Sequence, residues 1–317
     1  MPAYLPWAVA AGAVSAMLYG SLIVGLGDGG LGSSSFGLAA FIAPYFAQAP
    51  LFLIGLWMGV GAASLAAALA SVLLFALGGF LYALAFVVVN AAPAVFITRQ
   101  ALLGRPNREG GIEWYPVGQL LLWLVGMAAS VLFALAVYYM DRPGGFAGVI
   151  AAMLERTIRL EGAPETMAAT LQGSAAIFPG VAAVSWLVMV ALNGAIAQGL
   201  LARLGRNLRP SPDIAAIELP RQLAMLALIA CIGAAMPGFA GFLGVNLAIV
   251  LAAAYVFVGL GVVHVLSRRL PNRRWWLGAI YLVIALFGWP LVVLLLTGLA
   301  EPWIGLRGRL SGGAPKS

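Results

Sequence analysis

Residues 29–98 read GGLGSSSFGLAAFIAPYFAQAPLFLIGLWMGVGAASLAAALASVLLFALGGFLYALAFVVVNAAPAVFIT, with no charged side chain over 70 positions. A helix that crosses a bilayer needs about 20 predominantly apolar residues. This stretch is therefore read as about three helices laid end to end. Shorter uncharged runs cover 1–27, 115–140, 166–202, 222–267 and 275–300.

Composition points the same way. The chain has 317 residues, of which 63% are hydrophobic and 9% charged, and its mean hydropathy is +1.03. Soluble proteins average roughly 45–50% apolar and about 25% charged residues. So few charges cannot cover a soluble protein of this size. A disordered chain, a collagen and a coiled coil are excluded by the same numbers. The long continuous runs exclude a β-barrel, whose strands alternate apolar and polar positions. The expected fold is all-α: one integral membrane domain over 1–303, a polytopic helical bundle, followed by a short polar tail over 304–317.

Nine candidate spans follow: 6–26, 38–57, 60–78, 80–98, 116–139, 177–202, 221–239, 243–266 and 276–298. Pro44 and Pro50 break helix hydrogen bonding in 38–57, so that segment reads as re-entrant or broken. About eight crossings are expected, within a range of seven to nine. The N-terminus lacks a basic leader region, so the first helix is expected to stay as an anchor.

The net charge is +7, carried by 16 Arg and one Lys, Lys316, against 10 acidic residues. The Arg sit in short segments between apolar runs. That layout fits the positive-inside bias of cytoplasmic loops and argues against nucleic acid as a partner. Arg99, Arg105 and Arg108 mark one inner loop. Arg203, Arg206, Arg209 and Arg221 mark a second, and Arg268, Arg269, Arg273 and Arg274 a third. Helix parity then puts the C-terminus outside, against the evidence of Arg307, Arg309 and Lys316. Trp114/Tyr115 and Tyr138/Tyr139 frame the span 116–139 at about 35 Å, as interfacial aromatics do. In 143–175, Phe146, Val149, Ile150, Met153 and Leu154 recur at helical spacing. Glu155, Arg156, Arg159 and Glu161 supply a polar side. This segment reads as an amphipathic helix on the outer face, or as a loop helix packed on its own bundle.

The C-terminal half carries a resemblance. Leu192–Asn193–Gly194, Gly199 to Gly205, Pro210–Ser211–Pro212, Ile217–Glu218–Leu219–Pro220–Arg221, Tyr255 to His264, and Gly298 to Trp303 with Arg307 resemble the YybS-like family of predicted bacterial multi-pass membrane proteins. The similarity runs from about residue 8 to 309. Members of that family often carry Asp where this chain has Glu301. The family has no established activity, so no catalytic residue is implied. The resemblance implies a bundle related to the substrate-binding S components of energy-coupling-factor vitamin transporters, with a small-ligand pocket near the outer face. It also suggests a role for the small residues Ala8, Gly12, Ala16 and Gly20 on the first helix. S components use such a face to dock a transmembrane partner. Packing within the chain is the alternative, because small residues let any two helices approach closely. Gly59, Ala63, Ala67 and Ser71 repeat the pattern.

Catalytic chemistry finds little support. A Walker A motif needs a lysine, and the one Lys lies in the tail. His264 is the single histidine and Cys231 the single cysteine, so neither a His-based metal cluster nor a disulfide is available. Gly25–Leu–Gly–Asp28 matches the aspartyl intramembrane protease pattern but lacks a second intrahelical Asp. Ser33–Ser35 and His264 are expected at opposite ends of the bilayer. No catalytic residue, metal or cofactor is therefore expected.

Polar residues deep in the spans are the remaining pointers. Asn90, Asn193, Gln198 and Asn246 are the ligand-binding candidates, and Asn193 leads because Gly194 beside it admits a neighbour. An inter-helix hydrogen bond is the alternative for each. Pro210, Pro212, Glu218, Pro220 and Arg221 form a stiff cytoplasmic turn that a partner could read. The leading expectation is a non-enzymatic protein of the bacterial inner membrane that binds a small molecule or serves a transport subunit. The alternative is an accessory protein with only protein or lipid partners, and an intramembrane enzyme ranks last.

Overall fold

The computed structural model describes residues 3–27, 37–108, 110–161, 173–268 and 270–311. It is all-α apart from a two-stranded hairpin, β1 (Gly104–Pro106) and β2 (Ile112–Trp114). Four helical runs are long and apolar enough to cross a membrane: Val60–Ala101, Val117–Tyr138, Phe178–Arg203 and Gly238–Ser267. The bent pair Arg273–Phe287 and Pro290–Ile304 adds a fifth if it counts as one span. The chain divides into two compact units, residues 1–116 with 186–212, and residues 117–185 with 213–317.

In the first unit, α1 (Leu5–Gly27) is followed by a broken segment. That segment runs through α2 (Gly37–Ile42), a 3-10 turn (Ala43–Phe46) and α3 (Ala49–Met58). Pro44 and Pro50 sit in the first turns of the last two, where a missing N–H is tolerated. The missing donors matter one turn earlier. Pro44 cannot serve the Ala40 carbonyl, and Ser21 Oγ lies 3.1 Å from it, sharing its one proton with the Leu18 carbonyl at 2.8 Å. Ser15 Oγ donates to the Ala47 carbonyl at 2.6 Å.

Helix α4 (Val60–Phe86) runs through a π turn (Val87–Ala91) into α5 (Ala92–Ala101). Gly79, at φ 77° and ψ −173°, interrupts it in a conformation essentially reserved for glycine. A methyl group placed on Gly55 would lie 3.0 Å from Ala63 Cβ and 2.7 Å from Thr98 Cγ2. In a straight helix those two residues would be about 50 Å apart. The run is therefore a helical hairpin that reverses at Gly79, between the expected spans 60–78 and 80–98.

The small-residue face of α1 packs inside this unit. Ala8 and Ala16 are buried, and a Cβ on Gly12 would stand 2.6 Å from the Ala66 carbonyl oxygen. Gly20 faces Leu74 and Leu77. Ala63 and Ala67 of the second stripe are buried as well. The first-helix stripe is thus occupied by α4 and is not open to a partner.

The second unit contains α6 (Val117–Tyr138) and α7 (Gly145–Glu161). Phe146 of α7 stacks on Tyr139 at 5.4 Å and meets Phe242 edge-on, so the amphipathic helix packs on its own bundle. Helix α8 (Phe178–Arg203) begins here. Helix α9 (Gln222–Ala234) is followed by α10 (Gly238–Ser267), which forms the centre of this unit. The expected spans 221–239 and 243–266 are corrected: the turn falls at Met236–Pro237, and α9 keeps only 13 residues, about 20 Å.

The expected span 276–298 is sharply bent in its interior. Helix α11 (Arg273–Phe287) and α12 (Pro290–Ile304) meet at 116° across Gly288, φ 66°, and Trp289. The chain then ends its described course in α13 (Leu306–Ser311). Arg307 donates to the Ala215 and Ile217 carbonyls at 2.7 and 2.9 Å, and Arg268 pairs with Asp213. Those bonds bring α13 to the same end of the unit as the arginine-rich turn 268–274.

Helices α10 and α12 touch through glycine. A Cβ on Gly298 would sit 1.9 Å from the Tyr255 carbonyl oxygen, and one on Gly259 would sit 2.1 Å from that of Leu294. Nothing lies within 4 Å of such an atom on Gly278. Gly298→Leu should therefore destabilise the protein by about 1–3 kcal/mol through overpacking, while Gly278→Ala should not. Thermal unfolding in detergent checks the pair, and equal midpoints would refute this packing.

Candidate functional site

The site grows from one missing hydrogen bond. Pro93 has no N–H, so the Val89 carbonyl one turn earlier loses its helical donor. Two side chains replace it. Gln48 Nε2 and Trp186 Nε1 each donate to Val89 O at 2.8 Å. Gln48 stands at the start of α3 in the broken segment, and Trp186 comes from α8. The backbone accommodates the proline by widening into the π turn Val87–Ala91, a feature that recurs at functional sites. This turn carries Asn90, which is 1% exposed.

Asn193 completes the cluster two turns beyond Trp186. Its Nδ2 donates to the Tyr45 carbonyl at 2.7 Å and to Met189 O at 2.8 Å. Tyr45 lies three residues before Gln48, so Asn193, Gln48 and Asn90 occupy three segments tied by bridging bonds. All three are buried. Gln48 Oε1, Asn193 Oδ1 and both side-chain polar atoms of Asn90 have no hydrogen-bond partner. Each such atom costs about 1–3 kcal/mol, and native proteins keep few of them. Phe52 lies 3.9 Å from the Cβ position of Gly194, an ordinary contact, so that glycine is not what admits a neighbour.

The four sequence candidates separate. Asn90 and Asn193 join the cluster. Asn246 does not: its Oδ1 accepts from Gly180 N at 2.6 Å, and its Nδ2 serves Ala176 O and Phe242 O at 2.8 Å. It holds the start of α8 against α10 in the second unit. Gln198 donates to Arg209 O at 2.8 Å and shapes the loop after α8. Sequence reasoning missed Gln48 and Trp186. A glutamine bracketed by Pro44 and Pro50 was the available signal, since freed carbonyls demand nearby donors.

The inner-loop residues also divide. Pro210, Pro212, Glu218, Pro220 and Arg221 are exposed. Glu218 packs its backbone on Gly118, whose Cβ position is 1.9 Å from Glu218 O. Arg209 is buried, and burial lowers its pKa from the ordinary value. It donates to Ala101 O and Tyr115 O at 2.9 and 3.0 Å, closing the end of α5 and the base of the β-hairpin. Partial burial opposes ionisation of Asp213. The Arg268 hydrogen bond, the Ala215 N–H and the charges of Arg268 and Arg273 outweigh it and hold the carboxyl below its usual range. The pair is therefore ionised at neutral pH and weakens only as acid protonates Asp213.

His264 Nε2 lies 2.9 Å from Tyr281 Oη. Asp28 and Ser33–Ser35, the other members of the two protease patterns, lie outside the described residues. Among the described residues, no group of three His, Cys, Asp or Glu is placed to hold a metal. Compared with known proteins, the chain matches no family model, no curated protein and no solved structure. The YybS-like resemblance accordingly rests on the short motifs quoted above.

Stability separates the two kinds of amide. Asn246→Ala should cost about 1–3 kcal/mol, because it orphans the Gly180 N–H and the Ala176 carbonyl. Asn90→Leu removes two unsatisfied atoms in a similar shape. It should leave the ligand-free protein at least as stable as the parent. Denaturation of the two variants in detergent decides the matter, and a large loss in Asn90→Leu would mean that Asn90 is a packing residue.

Proposed function

We propose that this protein is a non-enzymatic, multi-pass protein of the bacterial inner membrane that binds a small molecule, acting alone or with a transport subunit. The observation that carries the reading is the amide cluster of the first unit, where buried polar atoms on Gln48, Asn90 and Asn193 lack partners. Asn246, a packing residue, satisfies both of its amide atoms. We take the three amides, which share one unit and bridge the broken segment, the π turn and α8, as polar groups that serve a ligand at membrane depth. Irregular backbone at membrane depth lies where it is enclosed by protein or lines a cavity. Broken helices mark the binding sites of many transporters. The YybS-like resemblance, with its S-component relationship, supports the same reading.

The topology we propose has eight passages with both ends inside. They are α1, the broken segment 37–58, the two arms of the Gly79 hairpin, α6, α8, α9 and α10. Helices α11 and α12 follow as a re-entrant pair. This arrangement gathers the Arg clusters around 99–108, 203–221, 268–274 and 307–309 on the cytoplasmic face, as the positive-inside rule requires. In a Cys231→Ser background, cysteines placed at Arg274 and Arg309 should react with an impermeant thiol reagent only after the membrane is opened. One at Met140 should react in intact cells. Labelling of Arg309→Cys in intact cells would overturn the topology.

An accessory role is favoured by a separate feature. Helix α11 buries no residue within the chain, and Trp275, Trp276, Leu286 and Phe287 are all exposed. Native mass spectrometry of gently extracted protein decides between the readings. A stoichiometric non-lipid adduct that disappears in Asn193→Leu supports binding. A chain carrying lipid alone, with no adduct and no companion subunit, supports the accessory role.

A further inference from the structure

Helix α11 buries none of its 15 residues against the rest of its unit. Two polar bonds tie it to α10. Tyr281 Oη lies 2.9 Å from His264 Nε2, and Arg273 Nε donates to Ser267 Oγ at 3.2 Å. The first turn of α11 borders an open cavity of about 460 Å³, lined by Asn272, Arg273, Arg274, Trp275 and Leu277.

The lining sets the charge of an occupant. Two guanidinium side chains border this cavity and no carboxylate does. Arg273 commits its Nε alone, and Arg274 has no hydrogen-bond or ion-pair partner among the described residues. The carboxylate of Asp213 is taken by Arg268. Guanidinium forks match phosphate oxygens in pairs.

The apolar face of α11 sets its source. Trp275 and Trp276 are 82% and 51% exposed beside the arginines, as aromatics at headgroup level are. Leu282, Val283, Leu286 and Phe287 are exposed further along. At 3.6 residues per turn, those four and both tryptophans fall within an arc of about 140°. Tyr281 lies outside that arc, on the side that meets α10. The uncharged part of the helix, 275–287, is about 20 Å long, enough to line one leaflet of a hydrocarbon core about 30 Å thick. A free anion would fill the cavity and leave this face bare. A phospholipid fills both. A headgroup amine would find no carboxylate in the lining, so the fit is to a lipid of net negative charge. Basic pockets on the cytoplasmic side of membrane helices hold such headgroups.

We propose that the start of α11 binds one anionic phospholipid of the inner leaflet, with its phosphate on Arg273 and Arg274 and its acyl chains along the exposed face of the helix. This inference rests on the inner-face placement of residues 268–274 proposed above and is independent of the amide cluster.

The test titrates the full chain in detergent with phosphatidylglycerol or with phosphatidylcholine of matched acyl chains, read by native mass spectrometry. One phosphatidylglycerol should be retained about tenfold more tightly. The preference should fall several-fold in Arg274→Gln, which removes a side chain with no partner to lose, and vanish when Arg273→Gln is added. It should persist in Arg309→Gln, which removes the same charge elsewhere in the unit. Equal retention of the two lipids, or a preference unchanged in the double variant, would overturn the site. Displacement of the bound lipid by inorganic phosphate would reassign the cavity to a free anion and overturn the lipid assignment. Labelling of Arg274→Cys in intact cells, with the lipid preference of the parent intact, would overturn the inner-leaflet placement and leave the lipid site standing.

Discussion

A backbone carbonyl in an apolar interior must find a donor, and three prolines in the first unit take donors away. Pro44, Pro50 and Pro93 each open a helical segment, and side chains answer for Pro44 and Pro93. Ser21 serves Ala40, and Gln48 and Trp186 share Val89. These bonds fix how α1, the broken segment, the Gly79 hairpin and α8 come together. They also consume the N–H groups of Gln48 and, through Tyr45 and Met189, of Asn193. The unsatisfied Gln48 oxygen is the remainder of that repair, whereas Asn193 serves carbonyls that no proline deprives of a donor.

Arginine works in two ways at the ends of the helices. Arg209 and Arg307 are drawn in and donate to main-chain carbonyls, closing loops that would otherwise leave those carbonyls unpaired. Arg307 also holds Glu301 through a partly buried pair at 2.8 Å. Arg206 lies over the Trp57 ring at 4.9 Å, and Trp57 meets Trp7 edge-on. Counting Arg as a topological signal treats all of these as one kind of charge. The buried pair contributes to shape as well as to orientation.

Long uniform helices were legible in the sequence because charge and length alone delimit them. The bounds of α1, α6 and α8 fall within about two residues of expectation, as helix ends usually do. The reversal at Gly79 was legible for the same reason, since about 40 apolar residues exceed one bilayer thickness. The short elements were not. Hydropathy does not distinguish a crossing from two helices that meet at a sharp bend, so Gly288–Trp289–Pro290 passed as the interior of a span. The small-residue stripe on α1 was visible, but whether another chain or α4 fills it depends on tertiary packing. Polarity within a span identified Asn90, Asn193, Gln198 and Asn246 alike. Only their partners separate a satisfied amide from an unsatisfied one.

The central claim is that the unsatisfied amide atoms of Gln48, Asn90 and Asn193 serve a ligand that is not part of the chain. The most direct measurement is an experimental density map of the protein extracted gently from its own membrane. The account predicts discrete non-protein density within bonding distance of Gln48 Oε1, Asn193 Oδ1 or the Asn90 amide. It is contradicted if those oxygens accept from protein donors, with Asn90 turned onto either of them and no density between.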